Sequence, residues 1–384
     1  MPFTAAAFGR KLSTLRKDFG QEIGSVASST GIPPDRLGAL EDGRIEPTGD
    51  EVLILADHYR KDFQYLLADG AEDPDEGVEL LFRERGDVLP QADRVAIAEF
   101  AFLCRSEAML ERELRLEPRG RAFEFRPRGK FMKGHGHDCA AALRKHLNLN
   151  DREGVRDLFS TIRDMGIRVF RRRLENSNIS GLFMNHPEAG RCILVNLAEG
   201  LARQRFSAAH ELGHAILDAD DAPITLSMVA GGSNPEWVEV RANAFASHFL
   251  IPPGLLAVMP RDHMADPAGV SALAERLRVS VPALLSGLLD ARIISAEQRS
   301  WLREVAQRPP EPPDPELEGQ LSPAQLARKQ ALLERGLSGR YVGLAFEAFN
   351  ARRVSLGLLT ELLLSTPGET VEIAALFGRS LGRD

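Results

Sequence analysis

The sequence predicts a mainly α-helical chain with one small β-sheet, an α+β protein. Apolar residues recur at helical spacing along most of the 384 residues, whereas strand-like runs are confined to residues 167–196. The composition, 43% apolar and 27% charged, is that of an ordinary globular protein. At this length, two or three domains are expected.

Residues 7–67 are predicted to form a run of short helices. Gly20 and Gly31 end the first two, Pro34 opens a third, and Pro47 separates a fourth. The segment VASSTGIPPDRLGALEDGRIEP resembles the Cro/repressor (XRE-type) helix-turn-helix family. That resemblance implies a recognition helix over roughly 34–40.

The positions available for DNA contact by that resemblance are Pro34, Asp35, Arg36 and Gly38, with Arg44 just beyond the helix. The module is nevertheless acidic, because residues 1–70 hold eight Lys or Arg against eleven Asp or Glu. Phosphate contacts dominate DNA affinity. A helical module for protein contact or dimerisation therefore stays open as the alternative.

The middle of the chain connects this module to the next. Residues 76–118 are predicted to form two amphipathic helices, broken near Leu89-Pro90. Residues 115–137 mix seven Lys or Arg with three Phe, a pattern that suits nucleic-acid binding, but we favour a solvated linker. We expect His135 and His137 to be surface residues.

Three strands are predicted next, at Ile167–Val169, Ile179–Met184 and Cys192–Asn196. A helical segment, RQRFSAAHELGHAILD, follows directly. A small sheet against this helix is the upper half of a minimal zincin-like fold, and an edge strand there would bind an extended peptide by main-chain pairing.

The helical segment contains a metal-binding pentapeptide, His210-Glu211-Leu212-Gly213-His214. Residues four apart share a helix face, so the two imidazoles can hold one Zn²⁺ while Glu211 acts as general base. Gly213 is unfavourable inside a helix, and we expect close approach of metal or substrate to explain it. The alternative is a surface helix that carries two histidines by chance, and a third ligand decides between the two.

Glu239 is the predicted third ligand, 29 residues beyond His210 on the helix of residues 235–250. Small residues share its face and would let two helices approach closely. One of them, Asn243, is placed to hydrogen-bond a ligand.

Other candidates remain around this site. Glu236 is the rival ligand, and Asp218, Asp220 and Asp221 are more distant ones. His248 is expected to point away from the metal. No residue that stabilises an oxyanion can be assigned from spacing, although Arg203 and Arg205 lie one to two turns upstream.

Several blocks together resemble the ImmA/IrrE family of metallopeptidases over about residues 135–300: ISGLFMN, CILVN, RQRFSAAHELGHAILD, EVRANAFASHFLIP and LAERLRVSVPALLSGLLDARIIS. The resemblance implies that Glu239, in the block Glu239–Asn243, completes the ligand set. It also implies Zn²⁺ as cofactor, with Mn²⁺ left open. The implied substrate is a repressor protein whose cleavage switches on stress or mobile-element genes.

The predicted organisation has five parts. A helix-turn-helix domain (1–70) and a helical, basic connecting region (71–134) precede a zinc peptidase domain (135–305). A stiff Pro/Glu-rich linker (306–320) then leads to a C-terminal helical domain (321–384). For this last domain oligomerisation, substrate docking and packing on the peptidase domain all stay open, so a homo-oligomer is one of the expectations.

We therefore expect a zinc-dependent endopeptidase in transcriptional regulation, with DNA binding through the helix-turn-helix. The alternative is a DNA-binding regulator or antitoxin-like partner whose zinc domain is a sensor or scaffold, and a weaker third is autoproteolysis. Cys104, Cys139 and Cys192 are too few and scattered for a disulfide framework. With no signal-peptide layout and no apolar run near 18 residues, a cytoplasmic protein without membrane partners is expected.

Overall fold

A computed structural model of the chain describes residues 3–68, 73, 75–117, 120, 123–219, 224–228 and 235–381. The secondary structure is mainly helical with a four-stranded sheet, which confirms the predicted fold class. The chain divides into two compact units. One holds the residues up to Ser106 together with Leu174–Asn176 and His186–Glu188, and the other holds the remainder.

Short helices make up the N-terminal part of the first unit: α1 (Ala5–Asp18), α2 (Ile23–Thr30), α3 (Pro34–Glu41), α4 (Gly49–Tyr59) and α5 (Phe63–Leu67). Gly31 ends α2 with φ 74°, a left-handed conformation that favours glycine. Thr48 and Glu51 form a capping box that begins α4. The α2–turn–α3 arrangement therefore lies where the sequence predicts it.

Two further helices follow, α6 (Glu76–Glu84) and α7 (Gln91–Glu113), separated around Leu89-Pro90 as predicted. In the first unit the nearly fully buried Lys61 ammonium lies among carboxylates, 3.0 Å from Glu79. Asp75 accepts a hydrogen bond from His186, at 3.1 Å. His186 lies two residues beyond the predicted strand Ile179–Met184, but it is the last residue of the observed strand and is buried.

The sheet contains β1 (Arg168–Arg172), β2 (Ile179–His186), β3 (Gly190–Asn196) and β4 (Ile224–Met228), in the order β1-β3-β2-β4. Strand β1 pairs parallel to β3, and β4 pairs antiparallel to β2. The first three strands match the three predicted ones with shifted ends. The fourth was missed, although its five residues ITLSM alternate apolar and polar as a strand does.

Helices surround this sheet in the second unit: α8 (Met132–His146), α9 (Leu158–Asp164), α10 (Leu201–Leu217), α11 (Glu236–Leu250), α12 (Pro253–Val258), α13 (Arg261–Ala265), α14 (Pro267–Leu277), α15 (Val281–Asp290) and α16 (Ala296–Val305). Helix α10 packs against both β3 and α11. Its apolar side chains join Ile193 and Val195 of β3 and Phe245 of α11 in one core. This burial sets the position of α10 and therefore of its pentapeptide.

The C-terminal residues form four helices, α17 (Pro323–Glu334), α18 (Gly339–Asn350), α19 (Leu356–Leu362) and α20 (Pro367–Leu376). Each begins after a Ser or Thr whose side chain accepts from the first turn: Ser322, Ser338, Ser355 and Thr366. Within the described residues, none of the helices is both long and apolar enough to cross a membrane.

The segment predicted as a linker has neither helix nor strand from Gln307 to Asp314. Its acidic side chains contact the second unit. Asp314 forms a bidentate ion pair with Arg171 of β1 at 2.7 and 2.8 Å. Glu311 accepts from the backbone N–H of Ala202, in the first turn of α10, at 3.4 Å.

Candidate metal centre

His210 and His214 project from one face of α10, with their Nε2 atoms 3.0 Å apart. Both are buried, because the helix is enclosed along nearly its whole length. The helical spacing therefore brings the two nitrogens together, as the sequence predicts.

Glu239, in the first turn of α11, faces the two imidazoles. One carboxylate oxygen lies 3.2 Å from Nε2 of His210, and the other lies 3.7 Å from Nε2 of His214. The three residues can offer ligand atoms that all lie within 4.8 Å of one another. Glu239 is only partly buried, so one side of the group faces solvent and leaves room for a water or a substrate oxygen.

The remaining ligand candidates lie elsewhere. Glu236 is exposed and is not in this group. Asp218 lies behind His214 and not beside the shared centre. The prediction of Asp218 as a possible ligand is therefore wrong. Asp220 and Asp221 fall outside the described residues.

Two oxygen acceptors orient the imidazoles from behind. His214 Nδ1 donates to Asp218 at 2.8 Å, and His210 Nδ1 donates to the side-chain oxygen of Asn243 at 3.1 Å. Since these oxygens only accept, each Nδ1 carries the proton in the neutral ring and each Nε2 presents a lone pair to the centre. Asn243 thus lies where the sequence places it, whereas the orienting position of Asp218 was not foreseen.

This donor set fits a divalent cation. Two nitrogen lone pairs 3.0 Å apart, with a carboxylate oxygen beside them, repel one another unless positive charge lies between them. Two imidazoles and one carboxylate with an open position are the ligands of catalytic zinc sites. The residues present therefore suit Zn²⁺, and the same nitrogen and oxygen ligands accept Mn²⁺.

Burial controls the protonation of these groups. It lowers the pKa of His214 to about 4, helped by His210, so this ring is neutral and ready to bind metal. Burial also acts to lower the pKa of His210, but the hydrogen bond with Glu239 and the charge of Glu211 outweigh it, and the net shift is upward. A bound cation would oppose that protonation.

Glu211 is fully buried between α10 and the sheet. Burial raises the pKa of its carboxyl, and the Ser227 hydroxyl on β4 acts in the opposite direction. Neither carboxylate oxygen has a hydrogen-bond partner of normal geometry among the described residues. Gly181 on β2 makes room for it, because a Cβ there would lie 2.8 Å from Glu211 Oε1. Gly181 and β4 are parts of the site that sequence reasoning missed.

The reason for Gly213 differs from the predicted one. A Cβ at this position would lie 3.3 Å from Cα of Ala242 and 3.2 Å from the Phe245 ring, both on α11. The close approach is therefore between two helices, and the expectation of a metal or substrate contact is wrong.

The upstream arginines have different surroundings. Arg205 is buried and donates to the backbone oxygens of Val155, Arg156 and Arg278, so it holds loops together. Arg203 is half exposed and pairs with Glu199 at 2.8 Å.

Three other histidines were assigned from sequence. His135 is buried on α8 and its Nε2 donates to the Arg128 carbonyl, 3.1 Å away, so its assignment to the surface is wrong. His137 is half-buried and stacks on His248 with ring centroids 4.1 Å apart. His248 does not belong to the metal-binding group.

The helix-turn-helix positions lie on and beside α3. Arg36 is held by both carboxylate oxygens of Glu51, and Arg44 pairs with Asp42 at 2.7 Å. Pro34, Asp35 and Gly38 lie on α3 itself. Arg36 and Arg44 are therefore each paired with a carboxylate.

Comparison with known proteins points to the same part of the chain. Residues 162–288 match the family model of the IrrE N-terminal-like domain, Peptidase_M78. A stretch of 100 residues, 26% of this chain, is 33% identical to the radiation response metalloprotease IrrE of Deinococcus radiodurans and covers 30% of that protein's length. The family match spans β1 to most of α15 and so includes the whole metal-binding group. Together these similarities support a metallopeptidase domain of the IrrE type.

Proposed function

We propose that this chain is a zinc-dependent endopeptidase that regulates transcription by cleaving a repressor protein. The observation that carries the proposal is the convergence of His210, His214 and Glu239 beside the buried Glu211, inside a stretch that matches the IrrE N-terminal-like domain. Stress or mobile-element genes would be derepressed by the cleavage.

The metal-binding residues and Glu211 have different roles in the proposed reaction. When bound to His210, His214 and Glu239, the divalent cation would supply Lewis-acid polarisation of the scissile carbonyl and make water easier to deprotonate. Glu211 accepts the proton of the attacking water and returns it to the leaving nitrogen. Glu211 is fully buried and packs closely against Gly181. Its carboxylate is therefore held in one place for both proton transfers.

The sheet offers a means of holding the substrate. Strand β4 is an edge strand with one neighbour among the described strands, and its Ser227 lies close to Glu211. An extended polypeptide that pairs with this edge would be placed beside the metal-binding group. Main-chain pairing orients the scissile bond without demanding a particular sequence.

The decisive experiment compares the zinc-loaded chain with its Glu211→Gln variant in a protein extract of the source organism. Mass spectrometry of new N-termini should find a cleaved DNA-binding repressor only with the unaltered chain. Zinc content, measured by plasma mass spectrometry, should be one per chain in both. Identical N-termini in the two samples would refute the peptidase mechanism.

DNA binding through α2 and α3 is the second part of the proposal. The helices have the required order, but Glu51 and Asp42 neutralise Arg36 and Arg44, so we expect weak binding whose affinity falls only gently with added salt. Gel shifts with promoter DNA, with and without a chelator, test it. Chelator-independent binding without any proteolysis would favour a DNA-binding regulator whose zinc domain is a scaffold.

A further inference from the structure

A groove of about 1340 Å³ opens beside the metal-binding group in the second unit. Asn243 connects the two, because it lines the groove and accepts the hydrogen bond from the metal ligand His210. Phe206, one turn before His210 on α10, also lines it. The groove therefore adjoins the metal-binding group at the Nδ1 side of His210, although His210, His214 and Glu239 do not line it themselves.

One wall of this specificity groove is a face of α11. Val240, Ala244 and Ser247 recur there at spacings of four and three residues, starting beside the metal ligand Glu239. These side chains are small or apolar, so a polypeptide backbone can approach the helix closely. Val279 and Val281, at the junction of α14 and α15, line the groove as well.

Another part of the wall is a strap, residues 308–313, from the segment predicted as a linker. Four of its six residues are prolines, so it offers few donors and a stiff apolar surface. Glu311 anchors it at the start of α10, where a Cβ on Gly200 would lie 2.5 Å from the carboxylate. The strap is therefore docked on the helix that carries the metal ligands.

The charges along the groove nearly cancel. Five cations and four carboxylates line it, and most are matched within the groove. The ion pairs are Lys133–Asp290 at 2.6 Å, Arg203–Glu199 at 2.8 Å and Arg308–Glu311. Arg278 donates to the Arg156 carbonyl, and the exposed Glu275 and Arg303 have opposite signs. A charged side chain of a ligand would lose hydration here without meeting a net opposite charge, whereas an apolar side chain has no such hydration to lose.

We propose that the specificity groove binds an extended, uncharged and mainly apolar segment of the substrate polypeptide, next to the bond that is cleaved. This inference rests on the proposed peptidase function and names the class of substrate sequence that the site accepts. The strap makes the C-terminal part of the chain a contributor to that specificity.

Binding can be tested without cleavage, using the zinc-loaded Glu211→Gln chain and three labelled eight-residue peptides. The first is acetyl-Ser-Ala-Leu-Val-Ala-Leu-Val-Gly-amide, and its twins carry Asp or Lys in place of both Leu. Fluorescence anisotropy should show the uncharged peptide binding at least about tenfold more tightly than either twin. Equal binding of all three peptides, or binding of none, overturns the proposal.

Two exposed groove residues provide variants that do not disturb packing. Glu275→Lys should tighten binding of the Asp peptide about threefold or more, and Arg303→Glu should tighten binding of the Lys peptide similarly. Glu297→Lys, an exposed carboxylate of α16 outside the groove, is the matched control and should alter nothing. Loss of these charge effects with both groove variants would place the peptides elsewhere.

The two proposals fail separately. If the uncharged peptide binds with the stated preference but the unaltered chain cleaves no protein in the extract, the proposed role of the groove is supported and the proposed peptidase function is refuted. If the chain cleaves a protein but binds the three peptides equally, the proposed peptidase function is supported and the proposed role of the groove is refuted.

Discussion

The carboxylate of Asp218 lies 2.8 Å from Nδ1 of His214, on the side of the ring away from the metal-binding group. Arg241 of α11 holds the other carboxylate oxygen, and its guanidinium lies 5.1 Å from the centre of the Trp237 ring. The last turn of α10 and the middle of α11 are therefore tied together through the residue that orients a metal ligand.

Asp218→Ala should weaken zinc binding about 10–100-fold, because His214 loses the acceptor that fixes its orientation. Competition with a chromophoric chelator measures this. Asp218→Asn keeps an oxygen acceptor and should weaken binding less. Glu236→Ala, which removes the exposed rival carboxylate, is the control and should leave zinc affinity unchanged. Equal affinity of the Asp218→Ala and unaltered chains would show that the hydrogen bond does not orient the ligand.

Gly181→Ala should retain zinc but lose most cleavage activity. The added methyl group would lie 2.8 Å from Glu211 Oε1 and 3.0 Å from the Leu194 carbonyl, so the general base must move. Overpacking of this kind also costs about 1–3 kcal/mol of stability. Zinc content, melting temperature and cleavage rate are measured together. Gly24→Ala, where a Cβ meets nothing within 4 Å, should keep full activity.

The His137–His248 stack should make the protein less stable in acid. Burial, and then the neighbouring His137, lower the pKa of His248 to about 4, whereas an unfolded histidine titrates near 6.5. Because the folded pKa is depressed, the unfolded state binds more protons below pH 6.5, and stability falls until about pH 4. The melting temperature between pH 7.5 and 4.5 should therefore fall less in His248→Phe than in the unaltered chain.

That comparison is made on chelator-treated protein, so that protonation of the metal ligands contributes equally to both samples. His263→Phe is the matched control, since this histidine is exposed. An identical acid dependence in all three proteins would remove the stack from the explanation.

Asp314→Ala should destabilise the second unit by about 3–5 kcal/mol, because Arg171 is left buried without its carboxylate. Chemical denaturation measures the loss. The double variant Arg171→Met with Asp314→Leu removes both charges and should recover most of it. Glu318→Ala, exposed in the same segment, should have little effect. No loss in Asp314→Ala would mean that the ion pair does not hold this segment.

Much of the metal site follows from local sequence. The spacing of His210, Glu211 and His214 determines their arrangement on a helix, since a helix repeats every 3.6 residues whatever surrounds it. Glu239 and Asn243 were found because they lie on one face of the next helix. The α2–α3 pair is equally local, being delimited by Gly31 and by Pro34 at the first helical position.

Other features depended on chain segments that meet only after folding. Strand β4 can be recognised as part of the sheet only from its pairing with β2, some forty residues earlier. The burial of His135 and the stacking of His137 follow from the packing of α8 on α11. The partner of a strand and the contacts of a helix cannot be read from the periodicity of either segment alone.

The sequence by itself determined most of the elements, the fold class and the three predicted ligands, because helix periodicity and capping act over a few residues. The tertiary structure alone decided that Asp218 orients His214, that Gly181 makes room for Glu211, and that Gly213 lets α10 approach α11. It also decided that the Pro-rich segment is a docked wall of the groove. These are relationships between distant parts of the chain, and only the packing of the second unit brings them within contact distance.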